Sequence, residues 1–218
     1  MEIWSTWLQL LATIVNYLSV NVGLADGLAI IVFTLSVRII CLPLSLKAAL
    51  QSHRNRIGLA ALQPELELLK NRFADDPAAL TKKTLALYKE RGIRFFDRTA
   101  LANMSIQGVF GISMLQTLRY LGLKSSFLWI ANLAKPDIAL TVVVAGLTFF
   151  TMLLTPGTSE HTNLLLYFIP AFVSAFILVN FPSALAVYWM TSNVVTLTQQ
   201  LLVRFWFSKK EESPGCLG

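Results

Sequence analysis

Apolar runs long enough to cross a lipid bilayer constrain this chain more strongly than any other feature. The clearest run extends from about Leu24 to Pro43, and a single charged residue, Arg38, lies in its interior. A helix needs about 20 mostly apolar residues to span the hydrocarbon layer. Of the 218 residues, 55% are apolar and only 14% are charged, a balance unlike that of soluble domains. The sequence therefore predicts an all-α, polytopic membrane protein.

Five such segments follow one another, and all but one of their connections are short. Phe181-Pro182 joins the last two segments as an antiparallel pair, because proline does not continue a helix. We predict a core of five transmembrane helices within residues 23–207 and a short cytoplasmic tail at 208–218. The predicted spans cover about 24–43, 99–121, 138–154, 163–179 and 183–207.

The first 22 residues are apolar but are interrupted by several polar side chains. Trp4, Trp7 and Tyr17 lie among them, and such aromatic residues favour the headgroup layer of a membrane. We interpret residues 1–22 as an amphipathic helix that lies at the interface. A helix that spans the membrane is the alternative.

The long charged connection at 47–97 has the pattern of a helical hairpin. Five apolar positions from Leu59 to Phe73 alternate spacings of three and four residues, which is typical of one face of a helix. Asp76 then has the position of an N-cap, and Pro77 has the first helical position. We therefore predict a second arm from about Pro77 to Arg91 and a hairpin outside the membrane.

Basic residues are distributed unevenly among the connections. Residues 43–98 contain eleven Lys and Arg against six Asp and Glu, whereas residues 122–137 contain only two basic residues, Lys124 and Lys135. Cytoplasmic connections carry the excess of Lys and Arg, so we expect the hairpin and the C-terminus in the cytoplasm and the N-terminus outside. The net charge of +6 would also suit nucleic acid binding, but its concentration beside the spans favours a role in orientation, and no nucleic acid partner is expected.

Arg38 is the residue that most strongly indicates the function. An arginine inside hydrocarbon costs at least about 2.5 to 3.5 kcal/mol on insertion scales and is found facing water or polar partners. Thr34 and Ser45 lie on the same face of this predicted helix. The alternative is that the side chain only extends to the cytoplasmic headgroups, because Pro43 is close to that boundary.

Polar side chains also form faces on two other predicted spans. In the second span Asn103, Gln107 and Thr117 share a face, and Gly108 and Gly111 are expected to let this helix approach a neighbour closely. Three polar helix faces with one buried cation predict a hydrophilic groove, and the alternative is hydrogen bonding that only holds the helices together. The polar face of the last span consists of Tyr188, Trp189, Ser192, Asn193, Thr196, Gln199 and Gln200.

Sequence motifs of known catalytic sites are absent. There is no H-E-x-x-H, no G-x-S-x-G and no P-loop, and the two histidines, His53 and His161, lie in predicted polar connections. Cys41 and Cys216 are too isolated to indicate a disulfide framework or a metal cluster. We therefore predict that the chain is not an enzyme and requires no cofactor or metal.

Three stretches of the sequence resemble the YidC/Oxa family of membrane protein insertases. "TLSVRIICLPLSLKA" at 34–48 resembles the first core span of the family, with its arginine before a Pro-Leu pair. "LQPELELLKNRFADDPAALTKKTLALYKERGI" at 62–93 resembles the cytoplasmic hairpin, including Gln-Pro-Glu and Leu-Tyr-Lys. "FPSALAVYWMTSNVVTLTQQ" at 181–200 resembles the final span. The order of the three stretches is also that of the family.

This resemblance implies a membrane protein insertase and chaperone in the bacterial inner membrane. Its groove would be open to the cytoplasm and the bilayer and closed to the outside, and Arg38 would receive the polar or acidic flank of an arriving segment. The implied partners are nascent membrane proteins and the lipid bilayer, with the ribosome and the Sec translocon as further candidates. The candidate groove residues are Arg38, Thr34, Asn103, Gln107, Tyr188, Trp189, Ser192, Asn193, Thr196 and Gln199.

The hairpin supplies a second set of candidate residues through the same resemblance. Compared with the family, the second span lacks an Asn-Pro and an entry proline, and the chain resembles a minimal five-span form. Two other functions stay open, namely a dedicated assembly factor with the same fold and a small transporter that binds an anion at Arg38. The candidate hairpin residues are Pro64, Glu65, Asp76, Pro77, Tyr88 and Lys89.

Overall fold

The computed structural model describes residues 2–92, 98–154 and 165–211 of the chain. These residues form seven helices, and within them only the isolated bridge between Phe127 and Ile130 has β geometry. The predicted all-α class is confirmed. The helices are α1 (Glu2–Val20), α2 (Asp26–Arg72), α3 (Pro77–Glu90), α4 (Arg98–Leu121), α5 (Ile138–Leu154), α6 (Leu165–Val179) and α7 (Ser183–Glu211).

Some predicted features lie outside the described residues. They are the end of the hairpin at 93–97, the loop at 155–162 with His161, the first two residues of the fourth predicted span, and the part of the tail at 212–218 with Cys216. By length and apolar composition one described helix, α2, is able to cross a membrane, while Ile138–Leu154 and Phe168–Val179 are apolar but shorter. The count of five spans therefore stays a prediction.

The 47 residues of α2 join the first predicted span to the first arm of the hairpin in one helix. At 1.5 Å per residue the helix is about 70 Å long. It continues through Pro43 and Pro64, each of which removes one backbone hydrogen bond. Just beyond Pro43, packing compensates for that loss, because Ser45 and Ala48 are buried and Ser45 accepts a hydrogen bond from Gln199 of α7.

The hairpin consists of the second half of α2 and of α3. Over the described residues α3 packs only against α2. Asp76 is the N-cap of α3, since its carboxylate accepts a hydrogen bond of 3.0 Å from the Ala79 amide, and Gly92 follows the helix with a positive φ of 67°. An ion pair of 2.7 Å between Arg91 and Glu65 connects the two arms.

The other helices pack around α7 and the first half of α2. Helices α2, α5 and α6 contact α7, α4 contacts α2 and α7, and α1 packs against α2 and α4. We call the end of this bundle at which residues 122–137 and the α6–α7 turn lie the loop end, and the opposite end the hairpin end. The buried core lies at the loop end and comprises Leu11, Val15, Ile30, Phe33, Met114, Leu118, Ile130, Leu133, Leu140, Val144, Leu178 and 184–187.

The connection at 122–137 closes the loop end of the bundle. Its carbonyls at Lys135 and Leu133 accept hydrogen bonds of 2.9 and 3.1 Å from the amides of Ser183 and Ala184, the first residues of α7. The amides in the first turn of a helix have no partner within it. The connection therefore caps α7 with backbone groups and is fixed across the core.

Candidate functional site

A cavity of about 830 Å³ lies on the hairpin side of the core. Helices α2, α4, α5, α6 and α7 all contribute to its wall. Eight of the ten candidate groove residues line it, so the structure brings together side chains that are up to 158 positions apart in the sequence. These eight residues are Arg38, Asn103, Gln107, Tyr188, Trp189, Ser192, Asn193 and Thr196.

The Arg38 guanidinium is held by two neutral side chains from two other helices. Its Nη1 donates a hydrogen bond of 2.9 Å to Oε1 of Gln107 on α4, and its Nη2 donates to Oγ of Ser192 on α7. Among the described residues that line the cavity, Arg38 is the only one with a charge. Its positive charge is therefore oriented by hydrogen bonds and is not neutralised by a carboxylate.

The polar wall of the cavity belongs mainly to α7. Tyr188, Ser192 and Thr196 follow one another at intervals of four residues, which places them on one face of the helix. Asn193 is next to this face, and its amide donates a hydrogen bond of 2.7 Å to Oγ1 of Thr148 on α5. The polar wall is thus connected to Arg38 through Ser192 and to α5 through Asn193.

The rest of the cavity lining, which we call the apolar wall, was mostly not predicted from the sequence. Its residues have no polar atom that would mark them, and along each helix they resemble side chains that face lipid. Only the packing of the helices shows that they surround the cavity. The apolar and glycine lining consists of Met104, Gly108, Gly111, Ile112 and Leu115 of α4, with Met152 of α5, Ile177 of α6 and Leu185 of α7.

The prediction that Gly108 and Gly111 allow close contact with a neighbouring helix is wrong. Among the described residues, a Cβ placed on either glycine would meet no atom of a neighbouring helix within 4 Å. The i, i+3 spacing places both on one face of α4, and that face borders the cavity. The missing side chains therefore enlarge the cavity and do not serve packing between the described helices.

Two of the ten candidate groove residues lie beside the cavity. Thr34 is buried and donates a hydrogen bond of 2.6 Å to the Ile30 carbonyl, and it lines a small adjoining pocket with Cys41 and Gln107. Gln199 donates a hydrogen bond of 2.9 Å to Oγ of Ser45. This bond connects α7 to α2 nearer the hairpin end, so Gln199 contributes to the packing of the helices that carry the site.

The wall of the cavity is interrupted beside α4. Over the described residues α4 packs against neither α5 nor α6, although all three helices line the cavity. Between α4 and the α5–α6 pair there is consequently a lateral gap. The core closes the loop end, so the described part of the cavity is bounded by packed side chains at that end and lacks helix packing on this side.

The candidate hairpin residues are separate from the cavity. Pro64, Asp76, Pro77 and Lys89 are exposed or cap the helices, and none lines the cavity. Tyr88 is half-buried, and this burial raises the pKa of its phenol above the ordinary value. The hairpin is therefore a second, spatially distinct surface.

Comparisons with known proteins identify relatives over most of the chain. A family model described as 60Kd inner membrane protein matches residues 17–210, a range that includes the cavity and the hairpin. The chain is 29% identical over 205 residues to the membrane protein insertase YidC of Clostridium tetani, and the match covers 84% of each chain. It is 30% identical over 198 residues to YidC of Fusobacterium nucleatum subsp. nucleatum, covering 89% of this chain and 93% of the relative.

A relative named YidC 2 is also similar to this chain. Membrane protein insertase YidC 2 of Streptococcus agalactiae serotype III is 26% identical over 218 residues, covering 95% of this chain and 70% of the relative. Together these relatives match the chain over most of its length. The similarity is therefore not restricted to one apolar helix.

Proposed function

Because this chain belongs to the YidC/Oxa family, the family of the 60Kd inner membrane protein, we propose that it is a membrane protein insertase and chaperone. It receives nascent membrane proteins in the cavity around Arg38 and releases their apolar segments into the bilayer. The observation that carries this proposal is the combination of one polar wall, one apolar wall and a single oriented cation in the same cavity.

The polar wall lowers the energy of the step that is most costly without a protein. A polar segment that crosses hydrocarbon leaves backbone groups without partners, at a cost of several kcal/mol for each group. Tyr188, Ser192 and Asn103 offer hydrogen-bonding groups along the cavity, and Arg38 adds a positive charge for an acidic flank. The flank then crosses a shorter distance in contact with lipid.

The apolar wall and the gap beside α4 provide the exit. An arriving apolar segment contacts Met104, Ile112 and Leu115 on α4, and flexible methionines adapt to side chains of different shape. Because α4 does not pack against α5 or α6 over the described residues, the segment moves sideways into lipid without separating packed helices. No bond is made or broken, so the function is partitioning and needs no cofactor.

The proposed orientation follows from the charge distribution. The basic hairpin faces the cytoplasm, the loop end faces the outside, and the five spans lie in the bacterial inner membrane with the N-terminus outside. The cavity then opens towards the side on which proteins are synthesised. The hairpin, at the same side, offers a surface for the ribosome or the Sec translocon, and residues 1–22 lie at the outer interface.

Site-specific photocrosslinking during synthesis tests this function. A photoreactive residue replaces Gln107 or Tyr188, both in the cavity wall, and the matched control replaces Phe172, which is exposed on α6 outside the cavity lining. Crosslinks from the two cavity positions to a short membrane protein are expected only while it is being inserted. Equal crosslinking from Phe172 would mean that the client does not use the cavity.

The same experiment separates the alternatives. If neither cavity position crosslinks to a client, and a small anion protects both positions from chemical labelling, an anion transporter is the better account. If only one client among many crosslinks, the protein is a dedicated assembly factor. The insertase proposal requires crosslinks to several unrelated clients with short translocated segments.

A further inference from the structure

A tight turn in the connection at 122–137 has its two apolar ends inside the protein. Phe127 and Ile130 exchange two backbone hydrogen bonds of 2.9 Å. Ile130 belongs to the buried core, and the Phe127 ring lies so close to α2 that a Cβ on Gly27 would clash with it. The turn is therefore anchored to the bundle at the level of the first turn of α2.

The two residues at the tip of this turn point away from the protein. Leu128 is 71% exposed and Trp129 is 57% exposed. Leu128 is also the only residue other than glycine in the described chain with a positive φ, 51°. This conformation is unfavourable for a side chain with a Cβ and is usually occupied by Gly, Asn or Asp. The backbone conformation alone would favour one of those residues at position 128. The chain has an exposed leucine there in spite of the strain.

Other exposed side chains at the loop end are also aromatic or apolar. Tyr17 and Val20 of α1 are exposed, and Tyr120 in the last turn of α4 is 84% exposed. Asp26, at the start of α2, accepts hydrogen bonds from Ser19 and Ser125. These bonds join the end of α1 and the connection at 122–137 to the same point of α2. The exposed aromatic and apolar residues therefore form one rim around the loop end.

We propose that Leu128 and Trp129 insert into the lipid headgroup layer of the outer leaflet and anchor the connection at 122–137 to the membrane. Tryptophan and tyrosine favour this layer, where the ring contacts apolar lipid and its N–H or O–H contacts water. The occupant of this surface is lipid and not a protein, because the tip lies beside the first turn of a helix that is long and apolar enough to cross a bilayer. The proposal rests on the orientation given with the proposed function.

The anchor has a consequence for the cavity. The connection at 122–137 caps α7 through Leu133 and Lys135 and contributes Ile130 and Leu133 to the core. A tip held in the headgroup layer keeps this cap at a fixed depth while a client moves past α4. The cavity thus stays closed towards the outside during insertion.

Spin-label accessibility in vesicles tests the anchor. In the full chain with Cys41→Ala and Cys216→Ala, a nitroxide is attached at Leu128→Cys or, as the matched control in the same connection, at the exposed Lys124→Cys. The protein is reconstituted in vesicles of phosphatidylethanolamine and phosphatidylglycerol. Dissolved oxygen, which concentrates in lipid, should reach the label at 128 better than a water-soluble nickel chelate does, and the order should reverse at 124.

Two outcomes would overturn the anchor. Nickel access at 128 equal to that at 124 would place the tip in water, and low access to both reagents would place it against another protein. The measurement needs no client, so it separates this proposal from insertase function. A label at 128 that partitions into lipid, together with absent crosslinks from Gln107, would leave the anchor standing and remove the insertase.

Discussion

Replacing Arg38 with alanine should remove most insertion of clients with an acidic flank and lower the stability of the fold by no more than about 3.5 kcal/mol. The guanidinium makes two hydrogen bonds, to Gln107 and Ser192, and each bond to a charged group contributes roughly 1.5 to 3 kcal/mol. Against this, holding an arginine at membrane depth costs about 2.5 to 3.5 kcal/mol on insertion scales. The two effects partly cancel, so the free energy of unfolding should fall by between roughly zero and 3.5 kcal/mol.

The assay compares two clients that differ only in one acidic residue in the translocated flank. Arg38→Ala should impair the acidic client far more than the neutral one, and Arg38→Lys, which keeps the charge, should retain most of the activity. Arg204, an arginine near the hairpin end that is not part of the cavity lining, is the matched control, and Arg204→Ala should insert both clients normally.

Helix content and thermal unfolding in detergent measure the stability of each variant. A loss of helix content in Arg38→Ala would show that the residue mainly supports the fold. Equal insertion of the two clients by this variant, or a Lys variant as weak as the Ala variant, would refute the role of the charge.

Three further predictions concern the wall of the cavity, its closed end and the orientation. Gly108→Leu should fill part of the cavity and reduce insertion without a loss of helix content, whereas Gly146→Leu, equally free of neighbours but outside the cavity lining, should insert clients normally. Gly27→Ala should reduce the free energy of unfolding by about 1 to 3 kcal/mol because the Phe127 ring must move, and an unchanged unfolding midpoint would contradict this contact. A cysteine at Ala79 should react with an impermeant reagent only after the cytoplasmic side is opened, and labelling of intact cells would reverse the orientation.

Local signals in the sequence were sufficient for the class of fold and for several helix ends. The start of α3 follows from Asp76 and Pro77, because an N-cap and a proline in the first turn act within a few residues. The continuity of α2 did not follow in the same way. Whether a helix passes Pro43 depends on packing against α7, which no local pattern contains.

The polar residues of the cavity could be predicted from the sequence for a different reason. A charge or an amide inside an apolar run is costly in lipid, so each such residue indicates a wet or polar environment. Met152 and Ile177 give no such signal, since an apolar side chain is equally suited to lipid, to a core or to a cavity wall. Gly108 was misassigned because helical spacing identifies a face but not what lies opposite it.

The neutral partners of Arg38 explain how a client could bind and still be released. A carboxylate in place of Gln107 would neutralise the guanidinium within the protein, whereas an amide and the hydroxyl of Ser192 orient it and leave its charge available. In the proposed mechanism an arriving acidic group would compete with these hydrogen bonds, so its binding would be reversible. Gln107→Glu should therefore preserve the fold, form an ion pair with Arg38 and reduce insertion of the acidic client more than that of the neutral client. Normal insertion of the acidic client by this variant would show that the free charge of Arg38 is not what the client uses.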